Sequence, residues 1–333
     1  YGCCNTLLAE QVGMLGRYTE AFFPELVYVR PQGQIEKRDS LEGSAFIDFP
    51  VDQTMIYPDY RRNTAELGKI QSSIDSVRND TDITITSVWL KGYASPEGSY
   101  AHNKELAIGR TAALKRYIQQ LYRFEGDVIT TDYEPEDWAG LRYYVERSNL
   151  AHRAEIVTLI DGNLEPDAKE WKIKRDYPME YSFLLQNCYP ALRHTDYRIA
   201  YTIRSYSDVE EIKRIMCGRP QKLDLNEFYL AAQEYEPGTD EFTEVFETAV
   251  RMFPDDTIAN LNAANAAMRR GDLTSAKRYL AKADDSPEAV YARGALAIRQ
   301  KDYDSARRYL NEAKSLGLEQ AGITLEQLEK GRR

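Results

Sequence analysis

The chain has 333 residues, of which 43% are apolar and 29% charged. That length suits about two domains, and the composition excludes an intrinsically disordered chain. The 43 lysines and arginines are outnumbered by 53 aspartates and glutamates, a net charge of −10, which excludes a general nucleic-acid binder because phosphate contacts need clustered cations. No run of about 18 apolar residues occurs, so no segment reads as a transmembrane helix.

The first residue is tyrosine, and no signal-peptide pattern follows it. Residues 1–37 are therefore expected to be a remnant or linker from a truncated upstream region. Within them, residues 18–30 carry Phe22, Phe23, Leu26, Val27, Tyr28 and Val29, which suit a short helix leading into a strand. The polar stretch 31–43 reads as a hairpin or loop. The four cysteines, Cys3, Cys4, Cys188 and Cys217, form no CxxC or Cys/His cluster. They read as inert thiols or one long-range disulfide, and spacing does not choose a pairing.

Residues 45–49 (Ala-Phe-Ile-Asp-Phe) predict a short strand. Residues 63–79 predict an amphipathic helix, with Leu67, Ile70, Ile74 and Val77 at three- and four-residue spacing. A β-branched run containing Ile83, Ile85, Val88 and Leu90 predicts a strand that stops at Gly92. A second long helix over 99–122 and a third strand near 127–133 follow. Residues 136–138 begin a helical stretch, and residues 152–160 form another helix. The alternation in 197–203 predicts the closing strand. The fold class expected is α+β, with a β-α-β-α-β sandwich over 38–206 and, after a change in composition near 205–208, an all-α region over 207–333.

That last region repeats itself. Gly271-Asp272-Leu273, Ala276, Tyr279, Leu280 and Ala283 recur as Lys301-Asp302-Tyr303, Ala306, Tyr309, Leu310 and Ala313, at an offset of 30. Small residues at these places let paired helices approach closely. The pattern resembles the tetratricopeptide repeat, with units at about 257–285 and 287–316, a weaker one at 224–256 where Phe242 stands in place of a small residue, and a solvent-facing capping helix over 318–328. The resemblance implies a protein partner bound on the helical repeats, with a purely structural module as the alternative.

The stretch carrying chemistry runs from Gly92 through Tyr93-Ala94-Ser95-Pro96-Glu97-Gly98-Ser99 to Asn103, Leu106, Arg110 and Tyr117. Helix N-terminal amides after the turn favour an anion, and a guanidinium such as that of Arg110, about three turns into the helix, grips a carboxylate bidentately. The spacing resembles the peptidoglycan-binding OmpA-like domain, whose motif runs Gly-x-Thr-Asp-x-x-Gly-Ser, then Asn, Leu, Arg and Tyr. The Gly-Tyr-Ala-Ser-Pro-Glu-Gly version, with Glu136-Asp137-Trp138 and residues 189–193 downstream, resembles a Bacteroidetes-type branch of these envelope proteins.

The resemblance implies a periplasmic or outer-membrane-associated cell-envelope protein that binds the diaminopimelate of a peptidoglycan stem peptide. In that family the arginine takes the ligand carboxylate and the loop aspartate its ammonium. Here Arg110 fills the first place and Ser95 stands in the second, with Glu97 two residues on as the alternative charge. Gly98, Ser99 and Asn103 complete the candidate ligand-binding set. Asn103 has the competing role of holding the loop backbone, and Arg110 that of a surface ion pair.

Catalysis is not expected. The three histidines, His102, His152 and His194, lie at no metal spacing, and neither GxSxG nor a P-loop occurs. The run Glu134-Pro135-Glu136-Asp137 reads as a solvated acidic loop. No cofactor or metal is expected. The alternative function is a protein–protein scaffold, or a surface-fibre assembly accessory, that keeps the fold without binding the wall.

Overall fold

The computed structural model describes residues 23–330, so Cys3, Cys4 and the start of the element expected over 18–30 lie outside the described residues. Among the described residues the chain is mixed α+β and mostly helical, with fifteen α-helices and one four-stranded sheet. It divides into two compact units, Glu36–Arg204 and a helical unit in which Ser205–Arg333 is joined by the described residues up to Ile35. The division expected at 206/207 thus falls at 204/205, and residues 23–35 belong with the helices.

In the first unit the elements are β1 (Lys37–Ala45), α1 (Asn63–Arg78), β2 (Ile83–Tyr93), α2 (Tyr100–Tyr122), β3 (Ile129–Glu134) and, after a helical insert, β4 (Thr195–Ile203). The sheet order is β1-β4-β2-β3, with β2 and β3 parallel and β4 antiparallel to both neighbours. Val88, Leu90 and Gly92 share a face with Tyr197 and Ile199 through the pairings Leu90–Tyr197 and Val88–Ile199. That face is dry because α1 lays Leu67, Ile70 and Ile74 on it and α2 adds Ala107, Leu114 and Ile118. The opposite face keeps water, with Arg198 over the Trp89 ring.

Two local expectations are corrected. The stretch 31–43 holds the edge strand β1 from Lys37 onward, and of 45–49 only Ala45 is in a strand, as the last residue of β1, while 46–49 is a loop beyond its end. Strand β1 hides from pattern reading because an edge strand needs little apolar residue of its own: it borrows the β4 ladder over its whole length. The 46–49 stretch has the apolar alternation, yet its amides leave the ladder. The Phe46 N–H donates to the Glu66 carboxylate (3.0 Å) and the Asp48 N–H to the Asn63 carboxamide (2.7 Å), so the loop is stitched to α1.

Five helices fill the space between β3 and β4: α3 (Trp138–Glu146), α4 (Arg153–Asp161), α5 (Pro166–Asp176), α6 (Pro178–Asn187) and the short α7 (Tyr189–Leu192). The last three each have proline in the first turn, where its missing N–H costs nothing. They enclose a separate core built on Leu141, Ile156, Ile173, Leu184 and Tyr189. Cys188 and Cys217 are free thiols.

The second unit runs α8 (Val209–Gly218), α9 (Leu225–Ala232), α10 (Asp240–Met252), α11 (Thr257–Arg270), α12 (Leu273–Leu280), α13 (Pro287–Arg299), α14 (Tyr303–Ser315) and α15 (Glu319–Lys330), each packing on its sequence neighbour. The repeat offset has a physical basis. Asp272 and Asp302 both cap helix N-termini, accepting from the Ser275 and Ser305 amides, and Ala276 and Ala306 are both fully buried where adjacent helices meet.

Candidate functional site

The turn between β2 and α2 is held from both sides. Tyr93 N–H donates to the His194 carbonyl (2.8 Å), and Asp137 N–H donates to the Ala94 carbonyl (3.0 Å). Gly92 sits so close to α2 that a Cβ would fall 1.9 Å from Thr111 Oγ1. Gly98 closes the turn with φ of +91°, a conformation glycine adopts without strain. These contacts fix where Ser95 and Glu97 stand relative to α2.

The structure brings Ser95 and Glu97 together on a third residue, Arg193, from the stretch just before β4. Arg193 Nε donates to Ser95 Oγ (3.0 Å), and its terminal nitrogen pairs with the Glu97 carboxylate. Ser95 is buried, while the Arg193 and Glu97 side chains are partly exposed.

Arg110 lies half-buried, with its guanidinium 5.0 Å from the centre of the Phe49 ring and Nε donating to the Gln53 carbonyl (3.3 Å). Among the described residues it has no carboxylate partner. Burial, then the neighbouring charge of Arg193, press its pKa below the ordinary guanidinium value, while Asp52 works the other way. Asp52 is itself hydrogen-bonded to His102 (3.0 Å). The site is therefore a cationic pair of which one member is matched by Glu97 and the other rests on an aromatic face.

The remaining predicted residues have local duties. Ser99 caps α2, accepting from His102 N–H (3.4 Å). The expected anion-binding helix start is already served from within: the Asp167 carboxylate takes the Tyr100 N–H at 2.7 Å. Asn103 is buried, donating to Glu136 Oε1 (2.9 Å), while Trp138 Nε1 donates to Glu136 Oε2 (2.8 Å). Glu136 and Asp137 thus do not form a solvated acidic loop. Both are buried, and burial pushes both carboxyl pKa values up, against the hydrogen bonds they accept. Asp137 caps α3 through Gly140 N–H (2.8 Å).

Sequence reasoning assigned no role to Arg193 or Asp167. It also passed over Asn262 and Asn265 in the helical unit, each about 1% exposed. Their signal was present: asparagine is a poor helix former, and α11 (TIANLNAANAAMRR) carries three of them among alanines.

Comparison with protein-family models and with curated proteins finds no match to this chain. Among the described residues no helix is long and apolar enough to cross a membrane.

Proposed function

We propose that the chain is a non-catalytic cell-envelope protein, periplasmic or outer-membrane associated. Its sheet unit holds a carboxylate of a peptidoglycan stem peptide at Arg110, and its helical unit holds a protein segment. The resemblance of residues 92–117 to the OmpA-like motif supports the class. The observation that carries the wall reading is the Arg110 guanidinium, half-buried beside Phe49 and without a carboxylate hydrogen-bond partner among the described residues. An arginine in that state has donors to give to a carboxylate. Sedimentation with purified diaminopimelate-type peptidoglycan tests it: the wild type co-sediments, and Arg110→Ala, folded by circular dichroism, stays in the supernatant. A wild type that stays in the supernatant overturns the reading.

One observation favours the second reading, a scaffold without a wall ligand. Ser95, at the place where the family keeps its ammonium-binding aspartate, faces the Arg193 guanidinium, and Glu97 is committed to the same arginine. An ammonium arriving there meets a cation. Under this reading neither wild type nor variant co-sediments.

A further inference from the structure

The helical unit holds an extended piece of its own chain. Residues 23–30 form neither helix nor strand, yet their backbone is read at alternate residues. Tyr291 Oη donates to the Glu25 carbonyl (2.6 Å), Asn265 Nδ2 to the Val27 carbonyl (2.7 Å), and Asn262 Nδ2 to the Val29 carbonyl (2.7 Å). Asn262 also accepts from the Val29 N–H (2.9 Å), the two-point carboxamide contact that mimics a neighbouring strand. Beyond it, Arg30 Nε donates to Asn226 Oδ1 (2.9 Å) and Gln34 N–H to Asp224 Oδ2 (3.0 Å). The segment therefore crosses the array from α13 towards α9.

Side chains supply the rest. Leu26 is buried in a cluster with Ala264, Ala292 and Leu296. The Tyr28 ring stacks on Phe246 (5.6 Å) and meets Phe242 edge-on (5.2 Å). Phe242, the departure from the small-residue rhythm, is thus a wall of the Tyr28 pocket. Arg269 and Arg299 both lie over the Phe23 ring.

We infer that the helical unit is a receptor for an extended peptide, and that residues 23–30 are its resident ligand, bound in cis. The argument turns on Asn262 and Asn265. Buried carboxamides on an alanine-rich helix are costly unless bonded, and these two spend their donors on the segment's backbone. Asn265 Oδ1 is buried with no donor, so the receptor offers one more backbone contact than the resident segment makes. Backbone reading accepts any extended chain, and the Leu26 and Tyr28 pockets select an aliphatic residue followed two positions later by an aromatic one. The inference deepens the helical half of the proposed function and rests on that half alone, so failure of wall binding leaves it untouched.

The test uses the full chain and a fluorescent synthetic peptide of residues 23–30, followed by anisotropy. A tethered ligand has an effective concentration of about 1 mM, so for an intrinsic Kd of about 10 μM the wild type is expected to bind the added peptide roughly 100-fold more weakly than a chain carrying Leu26→Ala and Tyr28→Ala. Adding Asn262→Ala to that chain is expected to weaken binding at least about tenfold. Equal binding by wild type and variant, or equal binding of a scrambled peptide, overturns the inference. A doubled mass of the wild type by light scattering assigns the segment to a second copy and overturns the cis arrangement. Should the double variant fail to fold, hydrogen exchange on the wild type decides: the Val29 amide is expected to exchange as slowly as amides within α11, and exchange at the free-peptide rate refutes the contact.

Discussion

Replacing Gly92 by alanine tests the contact on which the geometry of the turn depends. A Cβ at this position falls 1.9 Å from Thr111 Oγ1, 3.2 Å from Thr111 Cβ and 3.3 Å from the Ala107 carbonyl oxygen. The first clash cannot be absorbed in place, because Thr111 Oγ1 is already engaged with the Ala107 carbonyl at 2.7 Å. Either the hydroxyl abandons that bond for another rotamer or α2 lifts from β2. Overpacking of this kind costs about 2–3 kcal/mol. For a unit of this size that lowers Tm by roughly 4–12 °C. Thr111→Ala alone loses one hydrogen bond of about 1 kcal/mol and regains part of it in helix propensity.

In the double variant the worst clash is gone while the 3.2 and 3.3 Å contacts limit the relief, so the two changes couple favourably by about 1–2 kcal/mol. The assay is selective, since Trp89, Trp138 and Trp171 are the only three tryptophans and all lie within Glu36–Arg204. Tryptophan fluorescence during denaturation therefore follows this unit alone. A Gly92→Ala variant within about 0.5 kcal/mol of wild type, or strict additivity in the double variant, refutes the close approach of β2 and α2.

The same substitution in the helical unit should behave differently. At Gly294 an added Cβ meets Leu310 Cγ and Cδ2, both at 3.1 Å, and Tyr309 Cβ at 3.4 Å, contacts a shift of a few tenths of an ångström relieves; the small overpacking is offset by about 1 kcal/mol of helix propensity, so Gly294→Ala is expected within about 1 kcal/mol of wild type by far-ultraviolet circular dichroism. A pH effect is expected at His194, which is stacked on Tyr93 and paired with Asp196 at 3.4 Å. Burial opposes its charging, but Asp196 and Asp137 outweigh it and raise the pKa above the ordinary 6.5, while Asp196 is lowered. A raised histidine stabilises fully below its unfolded pKa and loses that contribution as pH rises through the folded value. Stability of the sheet unit should therefore fall on going from about pH 6 to pH 8. In His194→Gln that slope should flatten; an unchanged slope would show that His194 is not its source.

Elements with their own buried stripe were legible. Helices α1 and α2 and strands β2 and β4 each announce a face through residues such as Leu67, Ile74, Val88 and Ile199, because burial of that face is what makes them form. The elements that were missed take their order from partners distant in sequence. Strand β1 exists because β4 pairs with it, and Lys37–Ala45 carries almost no apolar signal. Residues 23–30 have the apolar content of a helix or strand and form neither, since the Asn262 and Asn265 carboxamides satisfy backbone groups that would otherwise need a ladder.

The site divides along the same line. Arg110, Ser95 and Glu97 could be named from local spacing, but their chemistry depends on Arg193, which lies 98 positions from Ser95 and reaches it only because the α3–α7 insert returns the chain to the turn. That arginine reverses the sense of the serine substitution. With an aspartate alone, the turn would present a negative charge to a ligand ammonium. With Ser95 and Glu97 both bonded to Arg193, it presents a partly neutralised cation beside the Arg110 guanidinium, and the two repel. A ligand carboxylate reaching Arg110 relieves that repulsion, whereas an ammonium on the same carbon is repelled by Arg193. The arrangement therefore favours a carboxylate that arrives without an adjacent ammonium, and comparing pimelate with free diaminopimelate as competitors of wall co-sedimentation reads that preference directly: pimelate should compete the better, and the reverse order would remove Arg193 from the account of selectivity.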